Sequence, residues 1–453
     1  MSSKVFMVRT TLATLVLAAL SLAAPLAASD LFLPEPVAVF EKSDAGCWER
    51  VELLRDPHPA FRQETFSPAG LQQDPWIIKW FGGKKDPHSG EFLLHCAPGF
   101  RSARRPVPVL LVHGAADNAN RAWIHPLDHF LGPGQKPKDT GFALSLARDG
   151  FAVFAVTFAH SQGDDFMQAE HLANAIARIR RLLGRDADPG FSVDLVAHSK
   201  GGVAARLYLS DARTLFPKKT FLSDFRGDVR RWVAVGCPML GVDTAFRYYG
   251  YNLWVDQQST MNAPLAAEKM LLYGLWTDVG DRSIYTDRGN AFPGQCQVLY
   301  DLDGSGVEPL APDSYTVDGN LTMQALYHGG TTLFLQSRGI KAAIAQGERL
   351  IYRLEERGID PRVKLAVLAG KKPFDHLSSG GRLIPVWNNP LSPTSDGVVF
   401  LSSAQHVEGA MRRGAKLLGK EILDLNHLAL AYDPAAFAQL ERWLQDSERR
   451  PRE

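Results

Sequence analysis

The stretch "VDLVAHSKGG" at 193–202 ends an apolar run on Ala197-His198-Ser199-Lys200-Gly201, and an earlier stretch, "VTFAHSQGDD" at 156–165, ends in the same way on Ser161. Either could be the sharp strand-to-helix turn that presents a serine, because each has a small residue two before the serine and two after it. The flanks separate them. After Ser199 comes Lys200 and then Gly201, Gly202, Val203, Ala204 and Ala205, small residues that let a helix tuck against a sheet and aim its first N–H groups at the serine. After Ser161 come Gln162, Gly163, Asp164 and Asp165, and acids beside a developing oxyanion oppose its charge. "SQGDD" reads instead as a loop and cap for a helix beginning near Met167. Ser199 is therefore the expected nucleophile, with Ser161 a cap or a rim residue.

The chain around these phrases alternates short apolar runs with helical periodicity, the pattern of a mostly parallel sheet with crossover helices. "VPVLLVHG", "FAVFAVTF", "FSVDLVAHS", "VRRWVAVGCP" and "RVKLAVLAG" read as strands, and "DGVVFLSSA" as a loop and strand. "TGFALSLARDG", "QAEHLANAIARIRRLLG", "KGGVAARLYLSDA" and "PAAFAQLERWLQD" read as helices. Residues 30–105 are expected to add edge strands and loops to the same sheet. Residues 242–360, rich in Tyr, Trp, Leu and Met, are expected to form a largely helical insertion acting as a cap or lid over an apolar cleft.

A serine needs a base and the base an orienting acid. Asp396 lies in the turn-rich "NNPLSPTSDGVV", and His427 follows in "ILDLNHLAL" ahead of the last helical segment. His376 and His406 are alternative bases, and Asp424 is an alternative acid. The loop after "LLVHG" offers the N–H of Ala115 as an oxyanion donor, joined by the backbone N–H of Lys200. The Lys200 side chain is expected to point away from the hydroxyl. His198 is expected to point into the sheet, His113 to order the oxyanion loop, and His125, His129 and His171 to be ordinary helical residues.

With "VHG" at 112–114, "AHSKGG" at 197–202, "GCPMLG" at 236–241, "SDGVV" at 395–399 and "NHL" at 426–428, the chain resembles secreted bacterial lipases and esterases of the α/β-hydrolase superfamily. The resemblance covers roughly 106–240 and 363–445. It implies the α/β-hydrolase fold, and hydrolysis of apolar carboxylic esters through the order Ser199, Asp396, His427. Lys200, Cys237 and Met239 depart from the family's usual residues. Extracellular polyhydroxyalkanoate depolymerases of similar elbow type give the alternative substrate; an acyltransferase and a non-enzymatic binding protein on the same scaffold stand further off.

Composition sets the remaining bounds. With 50 basic against 49 acidic residues in 453 and 45% hydrophobic residues, there is material for a large core and no electrostatic case for nucleic acid. Partners are expected to be a lipidic or aliphatic ester, with contact at a lipid–water interface, on a monomer. Lys4 and Arg9 before "LATLVLAALSLAA" and "LAAS" read as a cleaved signal peptide over 1–29, so the mature domain, 30–453, is expected to be secreted or periplasmic. Four cysteines in an exported chain permit two disulfides, and proximity favours Cys47–Cys96 and Cys237–Cys296. No cofactor is expected. "DLDGSG" offers Asp301 and Asp303 to a structural calcium ion, but its glycine falls too early for an EF-hand loop, and a turn is the expected reading.

Overall fold

The structure, a computed structural model, describes residues 35–66, 70–126, 141–247, 267–272, 274–278, 292–310, 321–373, 376–379, 382–385 and 393–445. The expected leader at 1–29 and His129 lie outside them.

Nine strands make one sheet. β1 (Pro36–Glu41), β2 (Arg50–Arg55) and β3 (Glu91–Cys96) run antiparallel at one side. β4 (Val109–Val112), β5 (Val153–Phe158), β6 (Val193–His198) and β7 (Val229–Val235) follow in the chain and are parallel to one another. In the insertion come β8 (Ala267–Leu272), β9 (Leu275–Asp278), β10 (Gly330–Thr331) and β11 (Leu335–Ser337). β12 (Lys364–Gly370) returns to the main sheet, β13 (His376–Ser379) and β14 (Arg382–Pro385) form a hairpin, and β15 (Lys416–Leu423) is the far edge. The order is β1-β2-β3-β5-β4-β6-β7-β12-β15. Reversal between β5 and β4 makes β4 the neighbour of β6, so the loop leaving β4 lies beside the turn leaving β6. This is the α/β-hydrolase fold.

β4, β5 and β6 are buried at every position, which is why they read as unbroken apolar runs without alternation. One face of the sheet packs on the helices Asp165–Leu182 and Gly201–Leu209, and the other on Phe142–Arg148 and the terminal helix Pro434–Gln445. Two readings change. Leu401–Ala404 of "DGVVFLSSA" is a helical turn with Phe400 at its N-cap position, and the segment's one strand-like pairing is an isolated bridge between Ser395, just ahead of it, and its own Phe400. β15 ("KLLGKEIL") is an edge strand that its mixed, half-exposed residues did not announce.

The described part of 242–360 holds the expected helices, among them Leu321–His328 and Ile340–Gln346, and also an antiparallel sheet ordered β10-β11-β8-β9. It has its own small core, where Phe246, Met270, Tyr327, Leu335 and Ile344 meet.

The two expected disulfides are absent, and all four cysteines are thiols. Cys96 is buried on β3 opposite Arg50, while Cys47 is exposed with its Sγ 3.8 Å from His125 Nε2. Cys237 lies under the elbow, its Sγ donating to Ala197 O at 3.1 Å, whereas Cys296 belongs to the insertion's core.

Candidate active site

Ser199 has φ +53°, the left-handed region that side chains disfavour. The turn is held open in that shape by hydrogen bonds from Ser199 N to Val235 O at 3.0 Å and from Gly202 N to Ser199 O at 2.9 Å. Its glycines are required by close approach. A Cβ on Gly201 would stand 2.3 Å from His113 O, and one on Gly202 would stand 2.2 Å from Cys237 Sγ.

The structure brings the three expected side chains together. His427 Nε2 is 2.8 Å from Ser199 Oγ, and His427 Nδ1 is 2.7 Å from Asp396 Oδ2. Asp396 is fully buried; its Oδ1 accepts from the N–H groups of Val398 at 3.0 Å and Val399 at 2.8 Å. The backbone adds a brace, His427 N donating to Asp396 O at 2.9 Å. With the carboxylate on Nδ1, that nitrogen carries the proton and Nε2 is left to face the hydroxyl. Asp396 thus stands where the alternative Asp424 would have to be. His406 is engaged elsewhere, its Nε2 2.8 Å from Glu355 Oε2. The side chain of His376 lies outside the described residues.

The loop after β4 presses on the serine. A Cβ on Gly114 would come within 2.7 Å of Ser199 Cβ and 3.3 Å of Ser199 Oγ. Ala116, two residues on, turns the loop with φ +56°. His113 organises it: Phe158 N donates to His113 Nε2 at 3.2 Å, so the proton sits on Nδ1, which donates to Gly114 O at 2.8 Å. Burial holds the imidazole neutral, lowering it to about 4. Among the described residues, the backbone N–H groups of Ala115 and Lys200 have no acceptor. Lys200 follows Ser199 directly, and Ala115 follows Gly114, whose backbone presses on the serine.

His198 is buried under the site with Nε2 3.0 Å from His427 O, and burial lowers it to about 4. His171 lies on the helix Asp165–Leu182, stacked on Phe61 and Phe92. Near Ser161 the helix cap is Asp164, which accepts from Phe166 N at 2.8 Å. Sequence reasoning gave the Lys200 side chain no role beyond pointing away from the hydroxyl. It is buried, its Nζ donating to Asp165 and Gln168. The signal was a cation in a segment of small apolar residues, which demands a buried acceptor. Asp301 and Asp303 stay within a turn: Asp301 Oδ1 accepts from Gly304 N at 2.7 Å and Asp303 Oδ1 from Leu310 N at 2.8 Å. No group of three or more His, Cys, Asp or Glu side chains suited to a metal occurs among the described residues.

Fold and site together define an α/β-hydrolase with a Ser–His–Asp constellation at the carboxyl ends of its parallel strands. Residues 106–248 match the family described as "Lipase (class 2)", which makes the chain a carboxylic ester hydrolase of the lipase and esterase kind. No curated protein matches this sequence. Among solved structures it is similar to a Bacillus licheniformis lipase in its mature form, at 15% identity over 76% of this chain and 95% of that one, TM-score 0.37. It is also similar to a serine hydrolase of the polyaromatic-hydrocarbon-degrading Cycloclasticus zankles, at 13% identity over 79% and 95%, TM-score 0.33. A membrane phospholipase A matches at 13% identity over 80% and 84%, TM-score 0.34.

Proposed function

We propose that the protein hydrolyses uncharged carboxylic esters with apolar acyl chains, with Ser199 as nucleophile, His427 as base and Asp396 as the orienting acid. The supporting observation is the unbroken chain of hydrogen bonds from Ser199 Oγ through His427 to Asp396, at 2.8 and 2.7 Å. His427 takes the Ser199 proton as Oγ attacks the ester carbonyl. The N–H groups of Ala115 and Lys200 donate to the tetrahedral oxyanion, each contributing about 3 kcal/mol where such donors have been removed. Asp396, desolvated and held by two backbone donors, fixes the tautomer and stabilises the imidazolium. His427 then protonates the leaving alcohol, and water repeats the sequence on the acyl-enzyme. The near-neutral charge balance of the chain favours an uncharged substrate over a charged one. The basic, apolar, small-residue order of 1–29 supports export, with the enzyme acting outside the cytoplasm.

The test is hydrolysis of p-nitrophenyl esters across acyl lengths, beside release of soluble acid from an aliphatic polyester film. Wild type is expected to cleave the soluble esters, Ser161→Ala to retain that activity and Ser199→Ala to lose it. Full activity in Ser199→Ala would overturn the assignment, and preference for the film would make the substrate a polyester.

A further inference from the structure

The second elbow-like phrase, 156–165, has no part in the ester chemistry proposed above, yet its acid grips the elbow. Lys200 Nζ donates to Asp165 Oδ1 at 2.8 Å and to Gln168 Oε1 at 2.7 Å, both on the first turn of the helix Asp165–Leu182. Lys200 is 3% exposed and Asp165 fully buried. The insertion closes over the pair. A Cβ on Gly294 would stand 2.0 Å from Lys200 Cε and 2.3 Å from Gly163 O. Its helix, Pro293–Gln297, is fastened to the same loop. Gly294 N donates to Gln162 O at 3.1 Å, Asp165 N to Gln297 Oε1 at 2.7 Å, and Gln297 Nε2 to Asp164 Oδ1 at 2.9 Å.

A buried ammonium stays only where a counter-charge and acceptors meet it, and removing one partner strands the other. Three acids surround this one. Asp164 spends its Oδ1 on the helix cap and Gln297. Glu64, which accepts from Asp164 N at 2.7 Å, is pushed up to about 8 by burial and by Asp164, so it is mostly a neutral acid at neutral pH. Burial pushes Asp165 up as well, opposed by the Lys200 ammonium on it. At 2.8 Å, Asp165 is the acid in direct contact with the cation. The Lys200 stem is then fixed at both ends, at Nζ by this grip and at Cα by the strained turn.

We propose that Asp165 and Gln168 are positioning residues that act through the Lys200 side chain to hold the Lys200 backbone N–H at the oxyanion. This rests on the reading of that N–H as an oxyanion donor. The repeated phrase thus supports the working elbow.

The experiment measures kcat and KM on a p-nitrophenyl ester, with folded enzyme quantified by circular dichroism, for Asp165→Asn and Gly294→Ala. Gly294→Ala crowds the lysine without altering any charge. Each is expected to lower kcat about tenfold or more while KM stays within about twofold, because displacing a group aimed at the transition state falls on the chemical step. Phosphonylation of Ser199 by an organophosphonate is expected to slow in step with kcat. A purely structural role would lower the melting temperature and leave kcat per folded molecule unchanged, and that result in both variants would overturn the proposal. Should Asp165→Asn fail to fold, the double variant Lys200→Met/Asp165→Asn removes both charges and strands neither; wild-type kcat there would overturn it equally. Ser199→Ala separates the two readings. Retained activity would sink the ester mechanism itself, whereas an inactive Ser199→Ala beside wild-type kcat in the other variants sinks only the positioning role.

Discussion

The carboxylate of Asp396 is shut away from water yet faces three donors, His427 Nδ1 and the N–H groups of Val398 and Val399. An amide in its place keeps an acceptor for those N–H groups but turns a donor toward the imidazole, trapping the wrong tautomer. Asp396→Asn is expected to lower kcat by roughly 10⁴-fold, the loss seen for this change in a serine protease triad, with secondary structure unchanged by circular dichroism. At the cysteines the expectation is set by burial. Cys47 is exposed, while Cys96, Cys237 and Cys296 are buried thiols. A maleimide is expected to label Cys47 in the native protein and all four cysteines once it is denatured without reductant. Denatured protein that takes up fewer labels would return the disulfides to consideration. Which serine sits in the strained elbow with His427 on its hydroxyl was legible at this scale, because the residues after it differ in size and charge. The contact between Lys200 and Asp165 was not, since no local pattern links a lysine to an acid on another element.

The elbow depends on glycine for space at Gly201, which packs on the carbonyl of His113. Gly201→Ala is expected to push β6 and the loop after β4 apart, costing about 1–3 kcal/mol of stability and lowering kcat along with it. Urea unfolding and ester turnover check both, and unchanged values in both would deny the close approach. The buried strands β4 to β7 and the amphipathic helices were readable because burial on two faces, or on one stripe, writes itself into residue order. β15, exposed along part of its length, and the insertion's sheet lacked that signature. β10 and β11 are 2 and 3 residues long, too short for alternation to show.

Over the whole molecule, the fold buries histidines in apolar surroundings. Desolvation lowers His95 and His171 to about 3, and His113 and His198 to about 4. In the unfolded chain such rings titrate near 6.5, at about their ordinary value. Between those limits the unfolded chain takes up protons that the folded one refuses, so these groups withdraw stability as pH falls from about 6.5 toward 4. Glu64, raised to about 8, works in the opposite sense and withdraws stability as pH rises through that value. His171→Phe, which keeps the stacking on Phe61 and Phe92, is expected to flatten the acid side of the urea midpoint against pH. An unchanged slope would mean that His171 is not the buried neutral ring described.

The sequence by itself determined the sheet's inner strands, the choice of Ser199 and the order in which Asp396 and His427 follow it. Those are consequences of burial and turn chemistry acting on neighbouring residues. Only the tertiary structure decided that Asp396 rather than Asp424 meets the imidazole, that the cysteines stay apart, and that the acid of the rejected phrase holds the lysine of the chosen one. Each of these joins residues far apart in the chain, and such distances are set by how the layers pack rather than by any local propensity.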